Sequence, residues 1–106
     1  MISTSIDRSR PWIAKDHDRL PSLEIRLLKR SLVLPWSQFL YAEGSDEEIR
    51  LSFATHEVVV KGAGLGALLG DLSSQRVSIM QEPARPDRFI TDSGPRITSI
   101  SVRKME

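Results

Sequence analysis

Apolar and polar side chains alternate from Leu23 onward, with Leu23, Ile25 and Leu27 separated by Glu24 and Arg26. This alternation gathers the apolar set on one face of an extended chain and predicts a half-buried strand. Ser31 to Leu34 predicts a second strand, stopped or bent by Pro35, and Gln38 to Glu43 a third with Phe39 and Tyr41 on one face. Gly44-Ser45-Asp46-Glu47 reads as a turn. Ile49, Leu51 and Phe53 then alternate with Arg50, Ser52 and Ala54, and a polar break at Thr55-His56 leads into the apolar run Val58-Val59-Val60. Two antiparallel strands joined by a tight turn are the simplest account of that stretch.

The period changes after Gly62-Ala63-Gly64. Leu65, Leu68, Leu69 and Leu72 fall at the spacing of one helix face, so a short helix is predicted to cover the sheet. Gly62, Gly66 and Gly70 recur every four residues. A glycine inside a helix costs about 1 kcal/mol relative to alanine, which predicts close backbone packing against a neighbour as compensation. Arg76 to Met80 predicts a further strand and Gln81 to Asp87, with Pro83 and Pro86, a loop. Arg88 to Thr91 and Ile97 to Arg103 predict strands around Asp92-Ser93-Gly94-Pro95. Residues 1–22 hold Pro11 and Pro21 among Ser, Arg and Asp with no sustained apolar period, and read as a flexible arm whose Trp12 and Ile13 could dock on the body. The expected fold class is mainly β (α+β): over residues 23–106, an antiparallel sheet of about five to seven strands with one short helix packed on it.

A chain of 106 residues accommodates one such domain, so any function sits on a single small core. It carries no run approaching the roughly eighteen apolar residues of a membrane span and no basic start with an apolar stretch. A cytoplasmic location without membrane insertion is the expectation. Without cysteine there is no disulfide, thiolate nucleophile or cysteine-ligated metal. The net charge of +1 supplies no global field for nucleic acid or anionic lipid. Its distribution is uneven: residues 1–30 carry seven Lys/Arg against four Asp/Glu, residues 31–60 one against five, and residues 61–106 seven against five.

The sharpest local motif runs from Val58 to Ala67, a strand entering Gly62, Gly64 and Gly66 and then a helix, with Glu82 ending the next strand. That order suits a dinucleotide unit, where glycines let backbone approach a pyrophosphate and an acid binds the ribose. The helix has room for only about nine residues, short for a crossover, and a glycine-rich strand-to-helix joint accounts for the motif more simply. Asp16-His17-Asp18 clusters three ligand types that point different ways on an extended arm, and His56-Glu57 lacks the second histidine of a zinc-peptidase motif because Val60 stands there. No serine is set apart as a nucleophile, and Asp46-Glu47-Glu48 reads as solvated turn surface, so no catalytic residue, metal or cofactor is expected. Arg8, Arg10, Lys15 and Arg19 around Trp12 could lie along phosphate with the indole stacked on a base, although Asp7, Asp16 and Asp18 cancel much of that charge.

The order of Val33 to Glu43, with its Phe39-Leu40-Tyr41-x-Glu43 step, the Ile49 to Phe53 and Glu57 to Lys61 strands, Leu65 to Leu72 and Arg76 to Ile79 resembles the LytTR-type DNA-binding domain over about half the chain. The resemblance implies a β-rich fold with one helix, and DNA binding. In the family the strand after the helix turns basic and polar residues toward DNA; here it reads Val77-Ser78-Ile79-Met80-Gln81-Glu82, with Pro83 and Pro86 following. No DNA-contacting residue is carried over. The leading expectation is a non-catalytic protein-interaction or assembly module, binding protein or itself as a homodimer through its glycine-rich helix face and sheet edge. A LytTR-like DNA-binding domain is the alternative, and a small ligand at Gly62–Gly66 the third.

Overall fold

The computed structural model describes residues 12–14, 20–83 and 95–105. The strands are β1 (Trp12–Ala14), β2 (Ser22–Arg26), β3 (Ser31–Pro35), β4 (Phe39–Gly44), β5 (Glu48–Phe53), β6 (His56–Ala63), β7 (Val77–Gln81) and β8 (Arg96–Lys104). One α-helix, α1 (Gly66–Ser73), joins β6 to β7. The mainly β class with one short helix is the one the alternation predicts. The strands divide between two four-stranded sheets, β1-β7-β2-β3 and β4-β5-β6-β8.

The division falls at Pro35. Proline cannot donate to a ladder, so β3 ends there, and a single 3-10 turn at Trp36–Gln38 redirects the chain into the second sheet. Within each sheet the period of two does its work. Leu23 and Ile25 of β2 are buried opposite Leu34 and Leu32 of β3. In the second sheet Ile49 and Leu51 are buried opposite Val60 and Val58, in the antiparallel β5–β6 pairing the sequence predicts. All pairings are antiparallel except β2 with β7. A parallel neighbour requires a crossover, and here the crossover runs through β3, the second sheet's first three strands and α1.

Both sheets and α1 close on one apolar cluster of seventeen buried side chains, with no buried polar or charged residue among the described residues. Leu65, Leu68 and Leu72 are fully buried in it, while Leu69 packs at its margin. Trp36, Phe39 and Phe53 form an aromatic group with ring centroids 5.0–5.8 Å apart. The Trp36 indole N–H donates to the Val77 carbonyl at 3.3 Å, satisfying the one polar atom that this ring takes into the interior.

Two local expectations change. Trp12–Ala14, inside the segment predicted as an arm, is a strand antiparallel to β7, and the Trp12 indole is buried. Close packing does not explain Gly70, where an added Cβ would meet nothing within 4 Å. The predicted strand Arg88–Thr91 lies outside the described residues.

These facts fix two stability outcomes. Gly70→Ala removes a helix-interior glycine from an open position and raises stability by about 0.5–1 kcal/mol. Leu51→Ala leaves a cavity at a fully buried site and lowers it by about 2–5 kcal/mol. Urea unfolding with an unchanged slope checks both through the midpoint.

Candidate functional site

The glycine-rich joint between β6 and α1 is built around two close approaches. At Gly62 a Cβ would lie 2.0 Å from the Arg96 carbonyl oxygen, where the β6–β8 register shifts. Gly64 has φ +69°, a left-handed conformation, and a Cβ there would meet the Pro95 backbone at 2.9 Å. Each glycine therefore lets β6 turn into α1 hard against the start of β8.

Three backbone N–H groups of this joint are already bonded within the protein. Gly62 N–H donates to the Glu47 carbonyl at 2.9 Å and Leu65 N–H to the Asp46 carbonyl at 2.9 Å. Gly66 N–H donates to the Asp46 carboxylate at 3.0 Å. Asp46, from the β4–β5 turn, thus caps a helix whose own preceding residue, Leu65, has no side chain able to do so. A carboxylate occupies the place where the helix dipole favours negative charge.

Glu82 follows a similar logic. Its backbone N–H donates to the Arg26 carbonyl at 2.8 Å, and its carboxylate accepts from Leu28 N–H at 3.3 Å and Ile100 N–H at 3.2 Å. The acid that the sequence offers for a ribose joins the β2–β3 turn of one sheet to β8 of the other.

Trp12 sits at a third junction. Its indole N–H donates to Asp71 Oδ2 at 3.0 Å, and Arg76 Nη2 donates to Asp71 Oδ1 at 3.4 Å. Arg76 Nε is buried without a hydrogen-bond partner. The ring read as a stacking platform is 8% exposed, packed in the core. Arg8, Arg10, Lys15, Arg19 and His17 lie outside the described residues. His56 lies in β6 with Nδ1 2.8 Å from the Thr55 hydroxyl. Among the described residues no three His, Asp or Glu side chains converge to hold a metal, and no helix is long and apolar enough to cross a membrane.

The outer face of the second sheet is polar. Glu57 accepts from Arg103 at 2.8 Å and lies 3.8 Å from Arg50, which is also 3.8 Å from Glu48. Exposed pairs of this kind contribute about 0–1 kcal/mol each. Tyr41 (52% exposed) shares that face as the partner of Ser52, and with Leu28 (58%), Val33 (63%) and Leu40 (64%) it makes four of the five large hydrophobic side chains exposed among the described residues. Val33 is on β3 and Leu40 and Tyr41 on β4, each the edge strand of its sheet. Leu40 has no cross-strand partner, because pairing passes from Phe39–Phe53 directly to Tyr41–Ser52. The sequence carries the residues of this surface but not the edge positions that expose them.

No protein-family model, curated protein or solved structure matches this chain.

The joint predicts its own variants. Gly62→Ala and Gly64→Ala each force a backbone shift or strain and lower stability by about 1–3 kcal/mol. Asp46→Ala lowers it by about 0.5–2 kcal/mol, and Asp46→Asn, which keeps an acceptor, by less. Chemical denaturation of the four variants orders these effects.

Proposed function

We propose that this chain is a non-catalytic interaction module that assembles with a second copy of itself, its contact surface being the β3 and β4 edges. The observation that carries this reading is the placement of Val33, Leu40 and Tyr41, half or more exposed, on strands that pair on one side only among the described residues. The polar chemistry of the described residues supports a structural use. Asp46 and Glu82 hold backbone N–H groups, Asp71 holds Trp12 and Arg76, and Glu57 holds two arginines. None is left aimed at a reacting group.

Light scattering across a concentration series tests the proposal. The wild-type chain is expected to reach the mass of a dimer, whereas Val33→Lys and Leu40→Lys stay monomeric with stability within about 0.5 kcal/mol of wild type, as for other exposed substitutions. A mass that these variants leave unchanged overturns the edge surface. Fluorescence anisotropy with a mixed-sequence DNA duplex at low and moderate salt distinguishes the LytTR-like alternative, because phosphate-driven affinity falls steeply with salt.

A further inference from the structure

Strand β1 is seated in a place built to receive a strand. It pairs with the outer edge of β7 in the register Trp12–Met80 and Ile13–Ile79. Trp12 fills the core at 8% exposure, its indole N–H reaches Asp71, and the Ser78 hydroxyl donates to the Ile13 carbonyl at 3.2 Å. Asp71 is itself held by Arg76. The receiving site therefore reads three things: backbone along an edge, an aromatic ring with a donor, and a small apolar continuation.

What occupies it is only three residues long and lies 59 and 65 positions from its side-chain partners. It is not paired with β2, the strand it leads into, because β7 stands between them. Residues 15–21 are its connection to β2. Nothing in the β7 edge distinguishes Trp12–Ala14 of the same chain from Trp12–Ala14 of another. The contacts are the same in either case, so the balance is set by the effective concentration the connection imposes, on the order of millimolar for a short linker. A three-residue edge strand also opens more readily than the centre of the sheet.

We infer that two copies exchange β1, each seating its Trp12 against the Asp71 of the other, to give a closed two-fold dimer. The inference rests on the reading of the chain as a self-assembling module, and uses a different contact from the β3 and β4 edges. Exchange preserves every native contact of β1 and satisfies the β7 edge of both copies, which is why it forms a dimer and not an open series.

The chain has no cysteine, so introduced pairs report cleanly. Ile13→Cys and Ile79→Cys lie on register partners, at a separation a disulfide can bridge. A single chain carrying both, oxidised at about 10 μM, well below the linker's effective concentration, closes within itself and establishes that the pair is competent. The two single variants, made in distinguishable lengths, are then mixed, unfolded, refolded together at about 10 μM and about 1 mM, and oxidised. Exchange yields a mixed disulfide at the higher concentration, at least about tenfold enriched over the lower, by mass action. A synthetic peptide of residues 9–16 present during refolding suppresses it. A mixed disulfide no more abundant than that of Ile13→Cys with Lys61→Cys, a position on the other sheet, overturns exchange. A dimer by light scattering that forms no mixed disulfide overturns exchange while leaving the edge surface standing; a dimer mass that Leu40→Lys leaves unchanged, with the mixed disulfide intact, does the reverse.

Discussion

Strand β7 has to reach the interior of a sheet whose other members precede it by some fifty residues, and most of the architecture follows from that demand. Its parallel pairing with β2 is impossible without a crossover, and the chain uses that crossover to build β4, β5, β6 and α1. Once in place, β7 supplies the carbonyl that satisfies Trp36, the Val77 and Met80 side chains that fill the core, and the edge on which β1 lies. A ladder of such separation is slow to close, because the entropy of bringing distant segments together is lost before the contacts repay it. Strand β1, whose partners exist only after β7 has docked, is the last piece of that sheet to have somewhere to go.

The polar groups make the same point from the other side. With an interior lined by apolar side chains, the Trp36–Val77 bond lies inside it, and the carboxylate hydrogen bonds between distant elements occur at its rim, where α1 begins, where β7 ends and where β1 enters. Asp46, Glu82 and Asp71 each accept a donor that secondary structure alone leaves without a partner at that place. Such groups are costly to leave unmade and modest when made, so they decide register and packing angle more than total stability. This is also why the glycines of the joint matter as space. Gly62 and Gly64 admit the backbone of Arg96 and Pro95, while Glu47 accepts from Gly62 N–H in β6 and Asp46 lies over the helix N-terminus.

The alternation of Leu23–Ile25 and Ile49–Leu51–Phe53, and the spacing of Leu65, Leu68 and Leu72, made strands, hairpin and helix legible, because period is a property of one element. Neighbour choice is not. The pattern says which face of β2 is buried but not that β7 pairs with it in parallel, nor that Pro35 separates two sheets. Glu82 was visible as an acid at a strand end, yet its partners are N–H groups of Leu28 and Ile100, and every residue but proline has one. Likewise Trp12 reads equally well as a base-stacking ring or a core ring until Asp71, 59 residues on, is placed beside it. The regular spacing of Gly62, Gly66 and Gly70 suggested one packing role, whereas one relieves a strand contact, one receives a cap and one faces open space.

The four sheet edges show how self-association can stop at a small assembly. Strand β8 has its Ile100 N–H taken by Glu82, β3 is short and ends in proline, β4 is bulged at Leu40, and β1 is only three residues long. Each device interrupts the long, flat run of free backbone groups that open-ended stacking needs. What the devices leave exposed on β3 and β4 are side chains, Val33, Leu40 and Tyr41, whose burial rewards contact without prescribing an endless ladder. Surface apolarity on interrupted edges favours a closed contact between two molecules over a growing one, and the same economy holds at β1, where a borrowed strand leaves neither copy's β7 edge uncovered.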